Sequence, residues 1–186
     1  MKKSVIDRTI DFILENSTPE FNIGFSGGET LMAFDNLQYF IARLFQAKEK
    51  HAKKVFVELS TNALLLTEPI IDFFIKHRIS LVFSIDGNAQ TTDRNRVSRE
   101  GKGVYRRLHR NFVLYKKQLQ KLSPHFQPTR ADCTVDSKAS LSASVQHLFD
   151  LGFNEVLARP VSPSEYTGLT DTSANHHFLT SMEQLV

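Results

Sequence analysis

Glu20-Phe21-Asn22-Ile23-Gly24-Phe25, running directly into Ser26-Gly27-Gly28-Glu29-Thr30, is the stretch on which the fold turns. Asn16, Ser17 and Pro19 punctuate the chain just before it, and Phe21 to Phe25 then has the length and apolarity of a short buried strand. The loop Ser26 to Thr30 holds two adjacent glycines, which let a backbone approach a ligand closely and present its N–H groups. Glu29 sets a carboxylate beside them, and an ammonium is the natural partner of such a group. A plain glycine turn carrying a solvated glutamate is the simpler alternative.

Outward from this stretch, helix and strand patterns alternate, as expected of βα units with a mostly parallel sheet. Upstream, Val5, Ile6, Ile10, Ile13 and Leu14 recur at helical spacing. Downstream, Leu37, Phe40, Ile41, Leu44 and Phe45 mark a helix with Asp35 or Asn36 placed to cap it, followed by a strand at Val55 to Leu59. Thr67 as N-cap and Pro69 in the first turn open a helix through Ile75, and Ile79 to Ile85 is its strand. A long loop then leads to a helix stepping through Val104, Leu108, Phe112, Tyr115, Leu119 and Leu122. Thr129 to Val135 is the next strand, Leu141 to Phe149 carries a helix that Gly152 ends, and Val156 to Ala158 is the last short strand. From Pro160 onward the pattern is that of a loop, with only His176 to Leu185 faintly helical. A doubly wound sheet and part of a βα barrel both fit these five strands, whereas 186 residues are too few for a complete eightfold barrel of about 250. In either architecture the chemistry sits in the loops at the carboxyl ends of the strands.

Composition narrows the function classes. With 41% hydrophobic and 23% charged residues, the chain is an ordinary globular one. No run of 18 apolar residues occurs and no secretory leader opens it, so a cytoplasmic protein without a membrane partner is expected. The only cysteine, Cys133, excludes both an intrachain disulfide and any cluster or zinc site made of this chain's thiolates alone. The net charge of +3 is unevenly spread: ten basic residues fall between Arg94 and Lys121 against Glu100 alone. Helical spacing explains most of them as a solvated face, and no aromatic side chain is interleaved among them for stacking on bases, which argues against a nucleic-acid partner. His176-His177 reads as a surface pair, since no second ligand pair follows at metal-site spacing.

Two further strand-end loops are unusual. Ser60-Thr61-Asn62 is a polar cluster able to hydrogen-bond a ribose or merely to cap a turn. In Ser84-Ile85-Asp86-Gly87, Ser84 and Asp86 alternate about Ile85 and so share a side, unless Asp86 simply closes an Asp-Gly turn. Arg130, early in a strand, is costly without an anion to pair with, although an edge position facing water explains it equally well.

In this order, Gly24-Phe25-Ser26-Gly27-Gly28-Glu29-Thr30-Leu31, Ser60-Thr61-Asn62-Ala63, Ser84-Ile85-Asp86-Gly87, and Asp93 with Asn95-Arg96-Val97 before Gly101-Lys102-Gly103 resemble the radical S-adenosylmethionine (radical SAM) enzymes. Within them the likeness is to the peptide- and protein-maturing branch with a C-terminal SPASM extension, and more loosely to maturases of quinone-containing amine dehydrogenases. The match spans roughly Val5 to Pro163. It implies an α/β fold, a partial (β/α)6 TIM-like barrel of which this chain holds strands two to six, with a core over 1–163 and the start of a further segment over 164–186. It implies S-adenosylmethionine as cofactor, cleaved in the full-length family with a [4Fe–4S] cluster held by a C-x3-C-x2-C loop, and a peptide or protein as substrate.

By the same resemblance Gly27, Gly28 and Glu29 receive the methionyl amino group. Thr61, Asn62 and Ser84, with Asp86 on the same loop, lie near the ribose or methionyl carboxylate, and Arg130 or Arg96 neutralises the latter. The departures are Thr30 and Asn88 where the family has proline, Ala63 where it has glycine, and the missing cysteine loop. The expectation is therefore a fragment of such an enzyme, without radical chemistry of its own, its cluster loop supplied by a missing N-terminal piece or another chain. A non-catalytic protein that keeps the nucleoside pocket is the alternative.

Overall fold

The structure, a computed structural model, describes residues 1–122 and 129–161. Its elements are α1 (Lys3–Asn16), β1 (Glu20–Phe25), α2 (Phe34–Lys48), β2 (Lys54–Thr61), α3 (Glu68–Lys76), β3 (Ile79–Ser84), α4 (Ala89–Asn95), α5 (Tyr105–Leu122), β4 (Arg130–Val135), α6 (Leu141–Leu151) and β5 (Glu155–Pro160). The strands form one sheet in the order β1-β2-β3-β4-β5, with β1–β2, β3–β4 and β4–β5 paired in parallel. All five expected strands are present.

Among the described residues the chain divides into two compact units, Met1–Thr61 with Leu65–Leu81 and 115–122, and Asn62–Leu64 with Val82–Leu114 and 129–161. In the first, α1 packs on α2. Ile6, Ile10 and Leu14 recur every four residues and bury one stripe, as do Leu37, Phe40, Ile41 and Leu44 of α2. Asp7 fastens the pair, accepting from the Tyr39 hydroxyl at 3.0 Å and from Arg43 Nε at 3.1 Å. In β2, Val57, Leu59 and Thr61 are buried while Lys54 and Phe56 are exposed, the two-residue alternation of a sheet packed on one face.

In the second unit β4 repeats that alternation. Ala131, Cys133 and Val135 are buried, and Arg130, Asp132 and Thr134 lie on the other face. Phe83, Phe112 and Phe153 form its aromatic centre, with Phe112 stacked on Phe153 at 4.0 Å and Phe83 edge-on to both. The Ser140 hydroxyl caps α6, and Gly152, with φ +94°, ends it as its position suggests.

Several local expectations are corrected. The N-cap of α2 is Ala33, without a side-chain cap, because a 3-10 turn at Thr30–Ala33 runs straight into the helix and leaves Asp35 in its first turn. Thr67 is the N-cap of α3 by position but makes no side-chain cap. The expected long loop before α5 contains α4, a short polar helix whose sequence has no apolar stripe to announce it. Pro160 closes β5 instead of opening a loop. The loop from Pro163, the faint helix at 176–185, the His176-His177 pair and the proposed segment at 164–186 lie outside the described residues.

Candidate functional site

The glycine loop of the first unit is built around Glu29. After β1 the chain passes through Ser26, Gly27 and Gly28, all exposed, and a side chain added at either glycine would meet open space. Glu29 then caps the 3-10 turn: its Oε1 accepts from Leu31 N at 3.0 Å and from the Thr61 hydroxyl at 2.7 Å. Thr61, at the end of β2, is only 2% exposed. Its hydroxyl holds the Glu29 carboxylate in place. Thr30, one of the departures from the family pattern, donates its hydroxyl to Ser60 O at 3.2 Å and so ties the same loop to β2.

In the second unit, Asn62 accepts from Leu64 N at 3.0 Å and turns the chain at Ala63, whose φ is +60°. Ala63 is fully buried, and its carbonyl accepts from the buried Asn111 Nδ2 at 2.7 Å. Alanine here bears a left-handed backbone that glycine adopts freely.

Past β3, Asp86 is 1% exposed, and its carboxylate accepts from Arg96 Nε at 2.9 Å, from Arg96 Nη2 at 2.7 Å and from Thr134 N at 2.8 Å. A carboxylate so fully engaged is a fixture for a guanidinium, and the two-pronged geometry fixes both the position and the plane of Arg96. Asp86 therefore orients Arg96. Gly87 lets the loop approach α6 closely: its φ is +126°, and a Cβ there would lie 2.8 Å from Ser144 Oγ. Asn88 caps α4, its side chain accepting from Thr91 N at 2.9 Å.

Arg96 opens onto a cavity of about 490 Å³ whose lining includes Asp86, Arg94, Thr134, Asp136 and Lys138. Its second ion pair, Arg94 with Asp136 at 2.8 and 2.9 Å, joins partners 42 residues apart and has no local signature. Burial pushes the Asp136 carboxyl up, but hydrogen bonds from Arg94, Lys138 N and Asn95, with the charge of Arg94, outweigh it and hold the carboxyl below its ordinary value.

Ser84 ends β3, in register with Asp132 of β4. Arg130, in contrast, is the first residue of β4, in register with Val82, and its guanidinium is paired with Glu155 at 2.8 Å. Thr134 lies four residue steps further along the strand, a span of about 13 Å. Of the two arginines considered for the methionyl carboxylate, only Arg96 lies among the loops at the carboxyl ends of the strands.

Cys133 is fully buried, and burial first, then Asp86, pushes its thiol up to about 12. One neutral, buried thiol does not fit a cluster that needs several thiolates. Among the described residues, no group of three or more His, Cys, Asp and Glu is arranged to hold a metal ion, and no helix is long and apolar enough to cross a membrane.

No family model matches the chain. A cysteine-type anaerobic sulfatase-maturating enzyme of Clostridium perfringens is 26% identical over 120 residues, which are 63% of this chain and 32% of that protein. Among solved structures, native anSMEcpe with bound AdoMet and Kp18Cys peptide superposes with a TM-score of 0.79 at 19% identity, covering 100% of this chain and 51% of that one. Native anSMEcpe with bound AdoMet gives the same figures. The chain thus spans 32% of the curated relative and about half of the solved chains. In sequence it resembles a radical SAM maturase of the SPASM type, and its α/β fold is the partial TIM-like barrel of those enzymes.

Proposed function

We propose that this chain is the S-adenosylmethionine-holding part of a radical SAM enzyme that modifies a peptide or protein. The observation that carries this reading is the Glu29 loop, in which two exposed glycines precede a half-buried carboxylate braced by Leu31 N and the Thr61 hydroxyl. A carboxylate held in this way offers a fixed charge to the methionyl ammonium, with the Gly27 and Gly28 backbone free to approach it closely. Arg96, aligned by Asp86, matches the methionyl carboxylate, and Asn62 and Ser84 supply short polar groups suited to a ribose. Thr61 and Asp86 serve by orienting Glu29 and Arg96, and Arg130 has a structural role with Glu155.

When bound, S-adenosylmethionine supplies the family's source of a 5′-deoxyadenosyl radical. The cysteine content of this chain does not fit the [4Fe–4S] cluster that chemistry needs, so no catalytic step is assigned to this chain alone. A peptide substrate is in keeping with the Cys-containing peptide bound by the structural relative.

Calorimetric titration tests the reading. S-adenosylmethionine binds the wild type, and Glu29→Gln or Arg96→Met weakens it at least tenfold while leaving 5′-methylthioadenosine, which lacks the amino-acid end, unchanged. Absence of heat for either nucleoside removes the proposal. Equal weakening of both by the two variants removes the residue roles.

A further inference from the structure

The first turns of α5 carry a feature that the S-adenosylmethionine reading does not use. Arg106, Arg107 and Arg110 are exposed and, with Gly103, His109 and Val113, line a surface groove of about 810 Å³ that contains no carboxylate. Arg43, Arg94, Arg96, Arg130 and Arg159 each pair with an Asp or Glu. None of the three groove arginines makes an ion pair among the described residues.

Helix stability does not account for them. Cations near a helix N-terminus oppose its dipole, and the acid at that end of α5 is Asp93 of α4, bound to Tyr105 N, since α5 carries none in its own first turn. Arg106 and Arg107 in that first turn cost the helix stability, whereas Lys121 in the last turn is favourably placed. The groove also adjoins the candidate site. Gly103 forms a β-bridge with Val97, the neighbour of Arg96, and Tyr105 N donates to Asp93 of α4 at 2.7 Å.

We propose that this groove docks an acidic segment of the polypeptide substrate; the inference rests on the maturase reading above. Arg106 and Arg110 stand one helical turn apart, about 6 Å along the axis. Alternate residues of an extended chain are spaced by about 6.5 Å, so two carboxylates at i and i+2 meet the two guanidinium groups in register. Arg107 flanks them, and Val113, 51% exposed, offers an apolar contact at the end of the groove. That apolar end, and a lining whose one ring, His109, is already stacked against Tyr105, favour a peptide over a single-stranded nucleic acid, which would call for free stacking rings.

The test is fluorescence anisotropy of a labelled dodecapeptide with alternating glutamates at low salt, set beside a labelled dT12 oligonucleotide. The acidic peptide binds and dT12 binds more weakly. Arg106→Glu/Arg107→Glu/Arg110→Glu weakens the peptide at least tenfold, and a charge-matched control, Lys2→Glu/Lys50→Glu/Lys76→Glu, weakens it less than threefold. Circular dichroism and S-adenosylmethionine titration of the same samples separate a folding failure from loss of the groove. Equal losses in both triple variants, no peptide binding, or tighter binding of dT12 overturns the proposal. If S-adenosylmethionine binds while the peptide does not, only this inference falls; if neither nucleoside binds while the groove still takes the peptide, the maturase reading is the one that falls.

Discussion

Asp86→Asn removes one formal charge from the most completely engaged side chain of the candidate site. The wild-type carboxylate is 1% exposed and accepts three hydrogen bonds, two of them from Arg96. Asparagine keeps one acceptor oxygen and presents an NH2 toward either an Arg96 N–H or Thr134 N, so at least one donor faces another donor. A charge-assisted bond contributes about 1.5–3 kcal/mol, and breaking a fully buried pair costs about 3–5 kcal/mol. Because the Arg96 side chain is 27% exposed and can recover water, the expected loss lies at the lower end, about 3 kcal/mol. For a chain of this size that is a fall in Tm of about 6–12 °C. Urea unfolding followed by circular dichroism measures it, with an unchanged slope expected. Arg96→Met should cost more than Asp86→Asn, because it strands the buried partner, and Asp86→Leu/Arg96→Met should cost less than its single changes summed. A loss below about 0.5 kcal/mol for Asp86→Asn, or strict additivity in the cycle, refutes the claim that Asp86 fixes Arg96.

Other expectations follow from the same geometry. Ala63→Gly relieves a left-handed backbone that costs alanine about 1–2 kcal/mol and gives back about 0.4–1 kcal/mol of unfolded-state entropy, so a small net stabilisation should appear in urea unfolding. Asp136 has a depressed carboxyl pKa, so the stability it contributes is full above the unfolded-state value near 4 and disappears as pH falls through the lower folded value. Asp136→Asn should therefore flatten the acid limb of the stability profile below about pH 4, seen by thermal melts in stepped buffers, and an unaltered limb contradicts the Arg94 pairing. Cys133 should resist iodoacetamide at pH 8 in the folded chain and react once urea unfolds it, as mass spectrometry would record, because its buried thiol is held near 12.

The strands were readable because each is a short apolar run between turn formers, and burial on one face of β2 and β4 follows the two-residue period. The longer helices were readable from apolar residues stepping by three or four, as in α1 and α2. What escaped was local structure without a hydrophobic signature: α4, with the sequence Ala-Gln-Thr-Thr-Asp-Arg-Asn, and the 3-10 turn at Thr30. At the site, the residue types were legible but their employment was not. Thr61 and Asp86 stood out as polar groups after strands, yet each faces a protein partner, and those partners lie 32 and 10 residues away. Arg130 stood out as a charge in a strand, and Glu155, its cross-strand neighbour, can be found only once β4 and β5 are placed in register. The Arg94–Asp136 pair and the groove of α5 likewise depend on tertiary placement that spacing alone does not encode.

The bond from Thr134 N to Asp86 Oδ1 has an effect on how the end of the sheet opens. Main-chain pairing between β3 and β4 carries on to Ile85 N, which donates to Asp132 O at 3.1 Å. Beyond it a side chain stands in as the last rung of the ladder. The Thr134 amide should therefore exchange with deuterium as slowly as amides within β4, although β3 has already ended, and Asp86→Asn should hasten exchange there well before it loosens the middle of the strand.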